Sequence, residues 1–481
     1  MSKSKPNLLL ILSDQHRFCD VGYRGNPDVI TPNLDRLAQE GVWFDNCYSN
    51  SPLCVPARGT LFSSQHALRH GAVANDMQIR EDTVSAAHRF SALGYDTAYV
   101  GKWHLGGVPR DQFIDEARRL GFQYWRGCNC NHAYLNAYYD DNDNVRHRIE
   151  GYEPAAQAQL AMEYLGGRKE DARPWFLMLG FGTPHDPYFA LPEGELERYA
   201  SKQLRLRGNV EPVCRQDRFG GIAPQPDIAR CCAGYDAHIG QIDVQIGRVL
   251  RALEQTGQLA DTIVVYTSDH GDMLGSHGRL NKQLYYDESA RVPLVLYQKD
   301  AGWESGKRAQ LISLIDVMPT LYSLCGGADW MQAQGVDCSA AVKRRDGGTQ
   351  QSVYYYSIVP CHQAMFRRPG SWRAIRTEQY LYCTDHRGRG VALYGADDEL
   401  QQNNRIGAAQ DAGLRAQLKR GLDVCVREND GYAPWRTLLR RRGLLAEWNR
   451  SQRYFARLYL GFLRRKKPER AAGTSQKKAK P

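Results

Sequence analysis

The sequence lacks any apolar run long enough to cross a membrane. The run Leu8 to Leu12 near the amino end covers only five residues, whereas a spanning helix needs about 18 to 20. No small-residue cleavage site follows it, so a secretory signal peptide is not indicated. We therefore expect this run to form a buried strand and the protein to be soluble and cytoplasmic.

Cysteine is too sparse for a disulfide scaffold. Thirteen cysteines are scattered over 481 residues, whereas disulfide frameworks are typical of short secreted chains with an even number. Cys128, Cys130 and His132 stand close together, but no second ligand pair at zinc-site spacing accompanies them. We predict mostly reduced, buried cysteines, and a cysteine-containing loop rather than a metal cluster at 128–132.

The body of the chain also lacks the strong positive charge of a nucleic-acid-binding protein. Net charge is +10, but the last nineteen residues, Leu463–Pro481, contain eight basic residues and one acid. This tail therefore holds seven of the ten charges and leaves only +3 for the rest of the chain. We predict no nucleic-acid partner and a basic, disordered tail at 463–481.

What the chain does have is a regular alternation of strand-like and helix-like segments. Thr31-Pro32 predicts the start of a helix, and Gly41 predicts its end. Short apolar runs that predict strands occur at Leu8–Ser13, Asp96–Val100, Trp175–Leu179 and Thr262–Thr267. The alternation predicts an α/β fold with a large, mostly parallel sheet sandwiched by helices.

The character of the sequence changes after Gly348. Aromatic and β-branched segments separated by turns, QSVYYYS, WRAIRTEQYLYC and VALYG, predict a smaller antiparallel sheet. We therefore predict a main domain at 1–347, a C-terminal subdomain with this sheet at 348–462, and the tail at 463–481.

A helical period marks the end of this subdomain. Arg450, Arg453 and Arg457 lie between apolar residues spaced three, four or seven apart, which places the two kinds on different faces of a helix. The apolar residues are Leu445, Trp448, Phe455, Leu458 and Phe462. We predict a basic amphipathic helix packed on the small sheet. The alternative is a surface helix that binds an anionic membrane or an anionic partner.

Titratable and metal-binding side chains follow each predicted strand of the main domain. They are Asp14 with Gln15, Lys102 with His104, His185, and Asp269 with His270. Ligands of open α/β sheets bind outside the carboxyl ends of the strands, so we expect these four clusters to line one crevice.

Cys54 stands in the stretch SPLCVPARGTLFSS, with Pro56 two residues on and Arg58 four residues on. Together with Asp14, GKWHLG at 101–106, Pro184-His185 and SDHGDMLGSHGRLNKQLYYDESARVPL at 268–294, this set resembles the formylglycine-dependent (type I) sulfatases of the alkaline phosphatase superfamily. The likeness resumes at WRAIRTEQYLY and ALYGADDELQQNN. It implies an alkaline-phosphatase-like fold.

The resemblance implies that Cys54 is converted to formylglycine by a formylglycine-generating enzyme or a radical maturase. In that family the aldehyde hydrates to a diol, which attacks the sulfur of a sulfate ester. The sulfated enzyme then releases sulfate by elimination, because the second hydroxyl loses its proton and restores the aldehyde. The implied activity is sulfate ester hydrolysis, and a sulfated sugar of small or oligomeric size is the substrate that we favour.

The resemblance also implies roles for individual residues. The metal ligands would be Asp14, Gln15, Cys54, Asp269 and His270, and the oxygen-rich set favours Ca²⁺, with Mn²⁺ or Zn²⁺ as alternatives. Arg58 would orient the modified side chain. Lys102 and Lys282 would hold the sulfate or the diol, His185 would bind substrate and protonate the leaving alcohol, and His104 would remove the second diol proton.

Two departures from the family pattern leave alternatives open. Ser63-Ser64 replaces the usual Thr-Gly, which bears on the packing of the cysteine helix and on recognition by the modifying enzyme. Gln15 and His270 in the ligand set also resemble the phosphonate monoester and phosphodiester hydrolases of the superfamily. Such a hydrolase is the second hypothesis, and a binding protein with an unmodified Cys54 is the third. The segment 127–144 is read either as a carbohydrate-facing loop or as a plain surface loop.

Overall fold

The computed structural model describes residues 5–169, 171–212, 227–328, 330–360, 370–429 and 431–465. The strands are β1 (Asn7–Asp14), β2 (Val42–Tyr48), β3 (Asp96–Lys102), β4 (Tyr124–Cys128), β5 (Tyr138–Asp140), β6 (Arg146–Arg148), β7 (Trp175–Pro184), β8 (Thr262–Ser268), β9 (Arg291–Val292), β10 (Leu294–Tyr297), β11 (Gly306–Ser313), β12 (Ser352–Ser357), β13 (Trp372–Thr377), β14 (Tyr380–Asp385) and β15 (Gly390–Gly395).

The helices are α1 (Pro32–Glu40), α2 (Cys54–Ser63), α3 (Ala67–His70), α4 (Ala86–Ala92), α5 (Glu153–Gly166), α6 (Glu195–Ala200), α7 (Ile228–Gln255), α8 (Asp287–Ala290), α9 (Leu314–Leu324), α10 (Ser339–Lys343), α11 (Ala412–Asn429), α12 (Trp435–Arg441) and α13 (Leu445–Arg465). Single-turn 3-10 helices lie at Gly22–Arg24, Glu116–Arg118, Leu259–Asp261, Arg405–Gly407 and Ala409–Asp411. None of the helices in the described ranges is long and apolar enough to span a bilayer.

The large sheet has the strand order β11-β2-β10-β8-β1-β7-β3-β4-β5-β6, with β9 beside β2. The central strands β8, β1, β7, β3 and β4 are parallel to their neighbours in this series. β10 pairs antiparallel with both β8 and β2, and β5 and β6 are antiparallel additions at the other edge. The predicted large, mostly parallel sheet is confirmed.

Alternate residues of the central strands face two separate cores. Leu8, Leu10 and Leu12 of β1 pack in one hydrophobic cluster, with α2, α4 and α9, while Leu9 and Ile11 pack in the other, with α1, α5 and α7. Because both faces are covered, these strands are apolar throughout rather than alternating with polar residues. Helices on both faces leave the strand ends as the place for polar side chains.

The helix predicted at Thr31-Pro32 begins at Pro32 and ends before Gly41. The Thr31 hydroxyl does not cap it, and instead accepts a hydrogen bond from the Gly22 amide. The buried carboxylate of Asp243 caps the helix instead, because it accepts hydrogen bonds from the backbone amides of Asn33 and Leu34 in the first turn. The cap therefore comes from α7, more than two hundred residues away in sequence.

The smaller sheet is antiparallel in the order β12-β13-β14-β15, as predicted. One hydrophobic cluster joins it to α11 and α12, to Trp448 of α13, and to the segment from Ala67 to Met77 that follows the Cys54 helix. The domain boundary at 347 stays a prediction. The predicted terminal helix extends to Arg465, and the rest of the tail, 466–481, lies outside the described residues.

Candidate active site

The carboxyl ends of four neighbouring strands carry the candidate site. β1 ends in Asp14, β3 ends in Lys102, and His185 and Asp269 directly follow β7 and β8. Lys102 Nζ lies 2.7 Å from Asp14 Oδ2, and the amide of Asp269 donates to the carbonyl of Ser13. Polar groups from strands that are far apart in sequence thus meet at one edge of the sheet, where parallel strands present them together.

Four side chains form a group that suits a metal ion. One ligand atom each from Asp14, Cys54, Asp269 and His270 lies within 4.8 Å of the others, and all four residues are buried. Cys54 Sγ is 3.2 Å from His270 Nε2 and 3.7 Å from Asp14 Oδ1. His270 Nδ1 is 2.9 Å from the carbonyl oxygen of Gly271, which places the ring proton there and the lone pair on Nε2. Two carboxylates and a correctly oriented imidazole fit a divalent cation.

Gln15 borders this group. Its amide oxygen accepts a hydrogen bond from Lys282, and its amide nitrogen donates to Asp272 Oδ2 at 2.5 Å. The backbone of Gln15 has φ of 74°, a left-handed conformation that costs energy for a residue with a Cβ. The backbone N–H of Gln15 donates to Asp269 Oδ1 at 3.0 Å. Lys282 reaches the site through Gln15, and the structure adds Asp272, which the sequence analysis did not select.

Arg58 joins the two carboxylates of the group. Its Nε lies 3.0 Å from Asp269 Oδ2, its second terminal nitrogen lies 3.1 Å from Asp14 Oδ2, and the first donates to the Lys102 carbonyl at 2.7 Å. The side chain has no exposed surface. Arg58 thus holds the carboxylates of Asp14 and Asp269 in place. Its role in orienting a modified side chain at position 54 stays a prediction.

Cys54 is the first residue of α2 and is completely buried. The amide of the next residue, Val55, donates to Asn75 Oδ1 at 3.1 Å, so Asn75 fixes the start of the helix. Burial and the neighbouring Asp14 raise the pKa of the Cys54 thiol to about 11. An unmodified thiol would therefore stay protonated near neutral pH, which makes it a poor nucleophile.

The carboxyl end of α2 accommodates Ser63-Ser64 without a glycine. Ser63 Oγ donates to the carbonyl of Gly59 at 2.6 Å, within the helix. Ser64 takes the left-handed conformation that ends many helices, with φ of 53°, and its hydroxyl donates to the Ile315 carbonyl at 2.5 Å. The hydrogen bond from Ser64 to α9 offsets the energy that a left-handed conformation costs a residue other than glycine. Helix α2 therefore packs with Ser63-Ser64 in place of Thr-Gly.

Buried cations surround the carboxylates. Lys102 and Lys282 are at most 1% exposed, like Arg58. Burial opposes ionisation of Asp14, but Lys102 and Arg58 together hold its pKa well below the ordinary value. Buried ion pairs of this kind persist only when each charge has close partners. Addition of a divalent cation would give the site a positive balance suited to an anionic ester.

His185 is the catalytic candidate with the most exposure, 9%. Its Nδ1 lies 2.7 Å from the carbonyl oxygen of Asp186, so the proton sits on Nδ1 and Nε2 is available for other contacts. Its ring stacks on that of His132, with centroids 4.5 Å apart and planes 12° from parallel. His132 Nε2 is in turn 3.0 Å from Lys102 Nζ. The two histidines thus stand at the least buried side of the site.

His104 lies beside a carboxylate that is itself held in place. Neither ring nitrogen of His104 has a hydrogen-bond partner among the described residues, and Nε2 is 4.0 Å from Asp76 Oδ1. Arg110 binds both oxygens of Asp76, at 2.7 and 3.0 Å. Burial and Lys102 keep the pKa of His104 well below its ordinary value, so the ring is neutral near pH 7. A neutral ring can accept a proton, and Asp76 would stabilise the resulting cation.

A buried acid lies behind Lys102. Glu153, the first residue of α5, is 1% exposed, and its Oε2 has no hydrogen-bond partner in the described part of the chain. Burial raises its pKa from 4.5 to about 7. A Cβ added to Gly182 of β7 would approach Glu153 Oε2 to 3.2 Å, so the carboxyl lies directly against the strand that leads to His185.

Several residues of the site were missed in the sequence analysis. His132 follows β4, which lies next to β3, so the same rule that selected the four strand ends would have selected a fifth had β4 been recognised as a strand of this sheet. Its loop, with Cys130 Sγ 3.9 Å from His132 Nε2, forms no separate group of three metal-ligating side chains among the described residues. Asp76 and Asn75 lie in a loop and give no sequence signal.

Comparison with known proteins gives a consistent result. The sulfatase family model matches residues 6–327, and that of the N-sulphoglucosamine sulphohydrolase C-terminal region matches residues 275–427. The chain is 33% identical over 419 residues to the ulvan-active sulfatase of Formosa agariphila, covering 86% of this chain and 80% of that one. It is 25% identical to the N-acetylglucosamine-6-O-sulfatase of Bacteroides thetaiotaomicron, over 87% and 86% of the two chains.

Solved structures share the fold. The crystal structure described as sulfatase YidJ of Bacteroides fragilis superposes with a TM-score of 0.77 at 26% identity, covering 91% of this chain and 98% of that one. The phosphonate monoester hydrolase of Agrobacterium radiobacter superposes with a TM-score of 0.68 at 22% identity, over 88% and 96% of the two chains. The second likeness concerns the fold alone.

Proposed function

The chain belongs to the sulfatase family and is a sulfuric ester hydrolase, and from that premise we propose that it removes sulfate from a sulfated sugar with a formylglycine formed from Cys54. The observation that carries the proposal is the place of Cys54. It is the first residue of a buried helix, and its sulfur lies next to the ligand atoms of Asp14 and His270. A side chain that became an aldehyde there would lie among the ligands of a cation.

The sulfatase family implies a divalent metal and formylglycine. We propose that Asp14, Asp269, His270 and the modified residue 54 hold Ca²⁺, with Mn²⁺ or Zn²⁺ as the alternatives that an imidazole ligand favours. Gln15 is the candidate for a fifth ligand, because its amide oxygen keeps a second lone pair beside the bond to Lys282. When bound, the metal would act as a Lewis acid, and the hydrated formylglycine would supply the nucleophilic oxygen.

The side chains of this site have separable tasks in the proposal. Lys102 and Lys282 bring positive charge to the anionic sulfate oxygens and hold the group in place while it is transferred. Arg58 keeps the two carboxylates oriented. His185, with its proton on Nδ1 held by the Asp186 carbonyl, would bind a second proton at Nε2 once an anionic ester is present, and would donate it to the leaving alcohol.

His104 would accept a proton at one of its unpartnered ring nitrogens. Asp76 lies 4.0 Å away and is held by Arg110, so it can stabilise the imidazolium without leaving its place. The substrate class rests on relatives named for sulfated sugars, such as the N-acetylglucosamine-6-O-sulfatase. We propose a sulfated sugar in preference to a phosphodiester or phosphonate ester, for which the likeness is one of fold.

Two measurements test this proposal. Peptide mass analysis of the chain, coexpressed with a formylglycine-generating enzyme, should show residue 54 as formylglycine, and an unmodified Cys54 in an active preparation would contradict it. Rates should then be measured for an aryl sulfate, a matched aryl phosphodiester and a set of sulfated monosaccharides. We expect faster turnover of sulfate esters, including at least one sulfated sugar. Preference for the phosphodiester would favour the phosphonate or phosphodiester hydrolase instead.

A further inference from the structure

One end of the C-terminal subdomain presents a dense basic surface. Helices α12 and α13 and the turn between them expose seven arginines, and between residues 435 and 457 the sequence holds one acid, Glu447, which pairs with Arg450. We call these seven the arginine surface: Arg436, Arg440, Arg441, Arg442, Arg450, Arg453 and Arg457.

Most of these charges have no carboxylate partner among the residues that the structure describes. Among the described residues, no carboxylate forms an ion pair with Arg440, Arg441, Arg453 or Arg457, whereas Arg450 has Glu447. Arg450, Arg453 and Arg457 are spaced three and four apart, so they share one side of α13 and repel each other. This repulsion destabilises α13, and an anion bound across the three arginines would relieve it.

Helix α13, which carries three of the seven arginines, is linked by hydrogen bonds to the surroundings of His104. The Arg110 amide donates to the hydroxyl of Tyr454 in α13 at 3.2 Å, and the Arg110 side chain holds Asp76, which neighbours His104. A second contact joins the same elements, because the Gln78 amide donates to Glu447 Oε1 at 3.2 Å. The helix that carries the arginines is thus two side chains away from a residue of the catalytic group.

We propose that the arginine surface binds a sulfated sugar chain, so that one sulfate group lies in the site while others along the same chain contact the arginines. This inference rests on the proposed function, which supplies the sugar substrate. Guanidinium groups suit such a ligand because their planar forks match the oxygens of sulfate as they match those of phosphate or carboxylate. In this arrangement the arginines would contact the parts of the sugar chain that extend beyond the ester in the site.

An anionic membrane is the competing occupant, and the packing argues against it. A membrane-bound amphipathic helix needs a free apolar face. Here Leu438, Leu439 and Trp448 are buried in the cluster under the small sheet, and the rings of Trp435 and Trp448 lie 5.0 Å apart. The described apolar side chains of α12 and of the start of α13 are therefore occupied by the protein itself.

The test replaces four arginines by glutamine, R440Q, R441Q, R453Q and R457Q together, in the full chain. The matched control replaces four exposed cations elsewhere, R205Q, R251Q, K299Q and R387Q. Affinity for dextran sulfate is measured by calorimetric titration at low and high salt, with uncharged dextran and with phosphatidylserine-containing vesicles as comparisons. Turnover is measured on a small aryl sulfate and on a sulfated oligosaccharide.

We expect the four-arginine variant to bind dextran sulfate about tenfold more weakly at low salt, because each exposed pair contributes modestly and four are lost. Its KM for the oligosaccharide should rise by a similar factor, while kcat and aryl sulfate turnover stay within about twofold. The control variant should bind as the wild type does. Equal binding of dextran sulfate by wild type and the four-arginine variant, or salt-sensitive binding to vesicles alone, would overturn the inference.

Failure of the sugar hypothesis looks different. If the wild type hydrolyses the aryl sulfate but releases sulfate from no sulfated sugar, the proposed substrate class is wrong, and the arginine surface loses its ligand with it. If sulfated sugars are desulfated but the four-arginine variant keeps the wild-type KM, only the arginine surface is refuted.

Discussion

Replacement of Arg58 by methionine tests how the charges of the site are balanced. Met has nearly the length of the arginine stem but no charge, so Asp14 and Asp269 would each lose a buried partner at about 3 Å. Two hydrogen bonds between charged groups, at about 1.5–3 kcal/mol each, agree with the 3–5 kcal/mol typical of a broken buried ion pair. Without metal, we expect the free energy of unfolding to fall by about 3–5 kcal/mol.

A bound divalent cation should reduce this loss, because it neutralises the same two carboxylates. If the loss is about 2 kcal/mol smaller with metal than without, the thermodynamic cycle requires the variant to bind the metal roughly 30-fold more tightly than the wild type. The assay is denaturant unfolding of wild type and variant, in a chelator and in saturating Ca²⁺, together with direct titration of the metal. We expect activity to be lost in either condition, since the ligand carboxylates lose their orientation.

Arg308 provides the control. It is also buried, but within the described part of the chain it donates to backbone carbonyls such as those of Ala341 and Val342 and to no carboxylate. R308M should therefore cost the same free energy with and without metal. The reasoning fails if R58M loses equal stability in both conditions, or if its affinity for the metal is no higher than that of the wild type.

Three further predictions concern single residues. C54A should abolish turnover of every ester while the denaturant midpoint stays close to that of the wild type, and residual turnover at the wild-type rate would exclude the formylglycine mechanism. H185A should lose most activity on esters with poor leaving groups, measured over a series of aryl sulfates, and equal losses across the series would count against leaving-group protonation. Glu153 has a pKa raised from 4.5 to about 7 by burial, so the folded chain holds its proton and stability falls as pH rises through this window, by roughly 3 kcal/mol in total. E153Q should remove that decline when unfolding is compared at pH 5 and pH 8, and an unchanged pH dependence would show that Glu153 ionises normally.

The fold could be predicted where the pattern is local. The runs at Leu8–Ser13 and Thr262–Thr267 are apolar on both faces because two cores cover them, and such runs are recognisable in sequence. The short strands β5 and β6 and the antiparallel β10 were not predicted. The place of β10 depends on pairing with β2, far away in sequence, and with β8. β5 and β6 pair with each other as a local hairpin, but with three residues each they are too short to show a strand pattern.

The candidate site was predictable as far as it lies at strand ends or in the Cys54 motif. Asp14 and His270 come together with Cys54 because the sheet brings strand ends to one edge. The partners that orient them were not predictable, since Asp76 lies in a loop. The link from Arg58 to both carboxylates likewise depends on side-chain directions that only the packed structure fixes.

The complete burial of Cys54 limits when a modifying enzyme could reach its side chain. No part of that side chain reaches the surface once α2 is packed between the large sheet and α9. If Cys54 is converted to formylglycine as proposed, the modifying enzyme would have to act on the chain before folding is complete. A folded batch that lacks the aldehyde would then stay inactive however much maturation enzyme is added later. Supply of that enzyme during synthesis, rather than the amount of purified chain, would determine the yield of working protein.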